Sequence, residues 1–159
     1  MGPRPIIGLG ACAAVLVAAC GSAASVTRAS SADHVAVSRQ YLAIATAGNR
    51  HLEHDFDGLR ADHGDLGLAR AYLHDAAATE RLFDRRLLRL RLPTAATPVA
   101  RALVAANEAR ARLADQAAAS PSLAQLRAYE PSLAAANARV EDGVRVIRSM
   151  LGLPPPETS

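Results

Sequence analysis

The sequence has no lysine and no tryptophan, its aromatic residues make up 3% of the chain, and its only cysteines are Cys12 and Cys20. With so few large rings, a core must be built from Ala, Leu and Val on closely approaching helices, and side chains able to wall a roomy pocket are scarce. Every one of the 18 basic residues is Arg, which together with the excess of Ala reflects GC-rich coding. Against 15 Asp and Glu they leave a formal net charge of +3. That is short of the basic excess a nucleic-acid binder carries, so nucleic acid is not an expected partner. At 159 residues the chain has room for one domain and one core.

Motifs that carry chemistry are missing as well. No Gly-rich phosphate loop and no Gly-x-Ser-x-Gly elbow occurs. Ser38 with histidines nearby does not make a nucleophile and base. The chain reads as non-enzymatic, with no cofactor.

What is present begins with a leader. Arg4 supplies its positive start, and Ile6 to Val17 form an apolar segment interrupted by Gly8 and Gly10. The segment is too short for a transmembrane helix, which needs about 20 apolar residues. It ends in Val17, Ala18, Ala19 and Cys20, a run that resembles the lipobox of bacterial lipoproteins, with Val17 where Leu is usual. The resemblance covers the leader and the first mature residues. It implies cleavage of the signal peptide before Cys20, acylation of Cys20 with palmitate-type chains, and a cell-membrane location on the extracytoplasmic face. Membrane lipid is then the first partner, and an envelope protein the second. Beyond the lipobox the chain is similar in composition to uncharacterised small helical lipoproteins of high-GC Gram-positive bacteria, a likeness that implies no activity. Cys20 is the only cysteine after the leader, so the mature chain forms no internal disulfide.

Residues 1–19 are thus read as signal peptide, 20–32 as lipidated Cys and a flexible Ser/Ala-rich tether, 33–152 as a helical bundle and 153–159 as a Pro-rich tail. Asp33 is the expected N-cap of a first helix with an apolar stripe at Val37, Tyr41, Ile44, Ala45, Gly48, Leu52, Phe56 and Leu59, reaching about Ala61. Asp65 caps a second helix, with Ala69, Tyr72, Leu73, Ala76, Phe83, Leu87 and Leu90 on its stripe, and Pro93 stops it. Thr97 and Pro98 open a third, striped at Val99, Leu103, Ala106, Leu113 and Ala117. A short turn of helix over 123–129 leads to a last one behind Pro131, with Leu133, Ala136, Val140, Val144, Ile147 and Leu151 on one face and Gly152 closing it. Four such helices with short turns define an all-α, antiparallel up-down-up-down four-helix bundle.

Charges on the apolar stripes stand out. Asp55, Glu80 and Arg110 fall where apolar residues belong. Antiparallel pairing sets Glu80 level with Gly48 and Arg110, and Arg110 level with Asn137. The expectation is a buried polar layer of Glu80, Arg110 and Asn137, with Asn107 as a further partner and Gly48 making room. Such a layer fixes helix register, because breaking a buried pair costs far more than the pair contributes.

Two surface clusters carry the remaining functional readings. His51, His54, Asp55 and His74, with Asp57, Asp62, His63, Asp65 and Asp75, crowd the first hairpin. They define the alternative function, a metal- or small-ligand-binding lipoprotein holding a divalent transition metal. Against it, these residues lack the Glu-x-x-His spacing of di-iron bundles and also suit a solvated, capped turn. Arg81, Arg85, Arg86, Arg89 and Arg91 gather at the end of the second helix. There they complement the helix dipole, and by topology Arg81, Arg85, Arg86 and Arg89 face the membrane.

Overall fold

The computed structural model describes residues 21–61 and 64–156, with side chains from Ser31 onward. The leader with its lipobox, Cys20, Asp62 and His63 lie outside the described residues. Among those residues all regular structure is helical: α1 Gly21–Ala61, α2 Leu66–Leu87, α3 Thr97–Ala118, α4 Leu123–Arg127 and α5 Glu130–Met150. The four long helices form an up-down-up-down bundle, α1 lying along α2, α2 along α3 and α3 along α5, with α4 a single turn between α3 and α5. α1 and α5, first and last in the chain, are the pair of adjacent helices that approach least.

Helix boundaries follow local chemistry. Asp65, in extended conformation, accepts a hydrogen bond from the Leu68 N–H at 3.0 Å and starts α2. Ser122 does the same for α4, accepting from Gln125 N–H at 3.3 Å. Gly152 ends α5 at φ +65, a left-handed conformation that suits glycine, while the Leu153 N–H reaches back to the Arg148 carbonyl at 2.9 Å. Pro131 stands in the first turn of α5, where its missing N–H is harmless.

Three expected boundaries are corrected. α1 begins at Gly21 and not at Asp33, so the stretch read as a flexible tether is helical backbone continuous with the bundle. From Ser22 to Ala47 the chain has no Gly or Pro and many Ala, and extending an existing helix avoids the cost of nucleating one. α2 stops at Leu87, six residues before Pro93. Leu88 to Leu90 make tight turns, and Leu90 and Leu92 then fold inward onto the core, an extended path that the residue before a proline favours. The Thr97 hydroxyl donates back to the Pro93 carbonyl at 3.4 Å and does not cap α3.

The core is two apolar clusters placed end to end. One joins Val37, Tyr41, Leu87, Ala100, Leu103, Val140, Ile147 and Leu151 at the end where α1 enters the bundle. The other, at the first-hairpin end, is rich in small residues: Ala69, Leu73, Ala77, Ala111, Ala114, Ala117, Ala118 and Leu126. The buried seam of α3 runs through Asn107, Arg110 and Ala114, turned from the expected stripe of Val99, Ala106 and Leu113, because alanines let α2 and α3 approach closely on that side. At the first-hairpin end Arg70 Nε donates to the buried Ser120 carbonyl at 3.1 Å and ties α2 to the α3–α4 turn.

Gly143 is the tightest helix crossing of α5. A Cβ there would lie 3.1 Å from Leu103 Cδ1 and 3.5 Å from the Leu103 Cα. Gly143→Val should therefore force α3 and α5 apart, lowering stability by about 1–3 kcal/mol in urea denaturation followed by circular dichroism.

Candidate functional site

Between the two apolar clusters lies a layer of buried polar side chains. Glu80 and Asp84 enter it from α2, one helical turn apart, and Asn107 and Arg110 enter from α3. Arg110 Nε stands 2.8 Å from Glu80 Oε1, with the two side chains 11% and 2% exposed. Arg110 Nη1 donates to Asn137 Oδ1 on α5, and Asn137 Nδ2 donates to Glu141 Oε1 at 2.6 Å. Asn107 takes a different partner from the one expected, donating to Asp84 Oδ1 at 2.7 Å. The Arg110 Nε contact is a charge contact without hydrogen-bond geometry, and Glu80 Oε2 is buried without any hydrogen-bond partner.

The electrostatics follow from that burial. Removal from water pushes the Glu80 carboxyl up to about 7, against the pull of Arg110. Burial likewise pushes Asp84 up to about 6, against the hydrogen bond from Asn107. Asp84 was not singled out from the sequence. Its spacing of four residues from Glu80, which places both on one helix face, was the available signal.

The layer opens onto a cleft between α1 and α5. Glu80 and Arg110 line both of its lobes. The upper lobe, a small cavity of about 70 Å³, is walled by Tyr41, Phe83, Val140 and Val144. The lower, about 300 Å³, is walled by Phe56, Leu73, Leu133 and Ala134. Three of the five aromatic residues, Tyr41, Phe56 and Phe83, thus wall a cleft that composition did not suggest. Gly48 borders the upper lobe, and a Cβ there would meet Phe83 at an ordinary 3.9 Å, so Gly48 is not required to make room for the ion pair.

The other candidate residues are not gathered into sites. Among the described residues, no group of three or more His, Cys, Asp or Glu is placed to hold a metal ion. His54 packs edge-on against Tyr72, His74 Nδ1 lies 3.1 Å from Asp115 Oδ1 on α3, His51 is exposed, and Asp55 is buried. His54 and His74 thus have separate neighbours, Asp55 lies within electrostatic reach of His54 and His51, and Asp62 and His63 of the same cluster fall outside the described residues. Asp55 is raised by burial first and then by Asp75 on α2. Arg81 leaves the membrane-facing set: its Nε donates to Glu108 at 3.1 Å and its Nη2 to Asp115 at 2.8 Å, across the α2–α3 surface. Against the opposing effect of burial, Arg81 and His74 hold Asp115 below its ordinary value. Arg85, Arg86, Arg89 and Arg91 are exposed. Ser38 Oγ sits 2.8 Å from the Leu151 carbonyl and 2.9 Å from that of His34, which makes it a clasp between α1 and the end of α5.

Comparison with protein-family models, with curated proteins and with solved structures finds no match.

Two outcomes are expected of the layer. Glu80→Ala strands a buried guanidinium and should cost roughly 3–5 kcal/mol, whereas Glu80→Ala with Arg110→Leu should recover most of it. A double variant as unstable as the single one would show that the pair is not coupled. Because Glu80 and Asp84 are raised in the folded state, folding takes up protons. Their contribution is complete below the ordinary carboxylate range and is lost as pH rises through about 6 and 7. The unfolding free energy should fall by on the order of 4 kcal/mol from pH 5 to pH 8, and Glu80→Gln should remove the larger part of that slope.

Proposed function

We propose that this protein is a lipid-anchored module of the cell envelope that works by contact and not by catalysis. An acylated Cys20 holds it on the extracytoplasmic face of the cell membrane, and the end of the bundle that α1 enters rests on anionic headgroups. The observation that carries this reading is one face of α2 and its terminal turn. Leu82, Arg85, Arg86 and Arg89 recur there at helical spacing and are exposed, with Leu88 beside them 54% exposed. Three exposed guanidinium groups with apolar side chains among them suit a lipid surface, each basic group contributing about 1 kcal/mol near anionic headgroups.

The lipobox run Val17, Ala18, Ala19 and Cys20 supports the anchor. Among the described residues no helix is long and apolar enough to cross a membrane, and in this reading attachment rests on the acyl group. The opposite end, with the first hairpin and α4, points outward and is where an envelope protein partner would meet the module.

In a host that processes lipoproteins, the full chain should incorporate labelled palmitate and sediment with membranes, and Cys20→Ser should abolish the label and reduce the sedimentation. On the Cys20→Ser background, the added changes Arg85→Ala, Arg86→Ala and Arg89→Ala should weaken flotation with anionic vesicles by roughly tenfold or more. An unlabelled wild-type chain would refute the anchor, and equal flotation would refute the docking face.

A further inference from the structure

We propose that the groove between α1 and α2 is a binding site for a membrane lipid with a phosphomonoester head, the phosphate received by Arg85 and Arg86 and the adjoining carbons lying along Ile44, Leu82 and Phe83. This rests on the reading of that face as the one that meets lipid. The groove has a volume of about 370 Å³ and is open to solvent on one side. That falls within the range of about 300–1,000 Å³ usual for small-ligand sites.

Its charge has one sign. The lining holds the guanidinium groups of Arg85 and Arg86 together with His51 and Thr79, and no carboxylate. Both arginines are exposed, and among the described residues neither guanidinium is engaged in a hydrogen bond or an ion pair. Two other arginines of the same helix, Arg70 and Arg81, by contrast tie α2 to its neighbours. Arg85 is within electrostatic reach of Asp84, but that carboxylate is buried and accepts from Asn107 on the core side. The helix dipole accounts for basic residues in the last turn of α2, but not for an apolar groove beside them. The cationic surface continues across Ala47, which borders both this groove and a shallow depression on α1 between Arg39 and Arg50, again lined by no carboxylate.

These groups select the head. A phosphomonoester carries about −1.5 to −2 charges at pH 7 and offers three oxygens to planar guanidinium forks, so it balances two arginines where a carboxylate or a phosphodiester balances one. A cation would meet like charge. The floor selects the rest: Ile44 and Phe83 are half-buried, Leu82 is 39% exposed, and the small residues Gly48 and Ala78 keep the space between them open. From Arg85 back to Ala78 the groove runs about 10 Å along α2 at 1.5 Å per residue, room for a short length of alkyl chain. Asp55 and Asp75 lie along their helices beyond the His51 end of the groove, away from the arginines.

The test joins calorimetric titration of the full chain carrying Cys20→Ser, with hexyl phosphate, inorganic phosphate, hexan-1-ol and hexylamine as separate probes, to flotation with phosphatidylcholine vesicles containing either phosphatidic acid or phosphatidylglycerol at equal surface charge. Hexyl phosphate should bind saturably and roughly tenfold more tightly than inorganic phosphate or hexan-1-ol, and hexylamine should not bind. Phosphatidic acid vesicles should be preferred over phosphatidylglycerol vesicles by a similar factor. Ala78→Leu, at an exposed position where Leu suits a helix, fills the groove and keeps every arginine. It should abolish hexyl phosphate binding and the preference between vesicles while leaving flotation with phosphatidylglycerol intact, whereas Arg85→Gln with Arg86→Gln should weaken both. Hexyl phosphate bound no more tightly than inorganic phosphate, or bound equally well after Ala78→Leu, would overturn the groove even where flotation persists. Flotation with neither vesicle would overturn the membrane as the source of the lipid, and with it the docking face, even where hexyl phosphate binds.

Discussion

The contact between Arg110 and Glu80, 2.8 Å long and almost wholly buried, is the constraint to which the rest of the bundle conforms. It separates an alanine-rich cluster from one built on Leu, Val and Ile, so the protein has two short cores and not one continuous core. Apolar side chains of similar size tolerate a slip of one helix past another, whereas a buried guanidinium does not, because any slip leaves it unpaired. The layer also links three helices through one side chain, since Arg110 on α3 meets Glu80 on α2 and Asn137 on α5. α1 contributes no partner to that chain of contacts, and it is α1 that stands away from α5.

That separation has a cause in side-chain size. Between its large interior residues α1 offers Ala45 and Gly48, and α5 offers Ala134 and Gly143. Small residues on α5 are used up in the close crossing with Leu103 of α3, which draws α5 toward α3 and leaves the α1 side underfilled. The clasp of Ser38 onto the Leu151 carbonyl closes one end of the seam, and the tail is held nearby, Arg148 Nε donating to the Pro154 carbonyl at 2.6 Å. Closure at one end with small residues beyond it produces a cleft whose deepest groups are the ion pair.

How much of this was legible before the structure depended on whether a feature violated a local pattern. Glu80, Arg110 and Asp55 could be found because charges on an apolar stripe are conspicuous, and the Asp65 cap because capping is a local reaction of side chain with backbone. Asp84 was passed over among the neighbouring arginines, although it shares the buried face with Glu80. The cleft was not legible at all, since it results from the spacing of two helices at opposite ends of the described chain, Gly21–Ala61 and Glu130–Met150, and from which neighbour α5 prefers. Nearness along two helices does not by itself fix direction either, and His54 and His74 are each in contact with a different neighbour. The end of α2 at Leu87 reflects Leu90 and Leu92 gaining burial by leaving the helix, a tertiary effect that outweighs helix propensity.

The helical run before Val37 bears on how a lipid-anchored bundle would sit. A flexible tether would let the basic end of the bundle reach headgroups from any direction. A helix from Gly21 to Val37 is instead a rod of about 24 Å at 1.5 Å per residue. Held upright, that rod would keep Arg85, Arg86 and Arg89 about three screening lengths from the surface, where their attraction to anionic lipid is largely lost, since the Debye length is about 8 Å at physiological salt. Contact between those arginines and the bilayer therefore requires α1 to lie along the surface, with its Ser- and Ala-rich first turns at headgroup level. In the anchored state proposed above, Cys20 and the basic face would be two points of attachment on one chain. A second point of contact converts the weak attraction of a few arginines into an intramolecular one, strong enough to set an orientation.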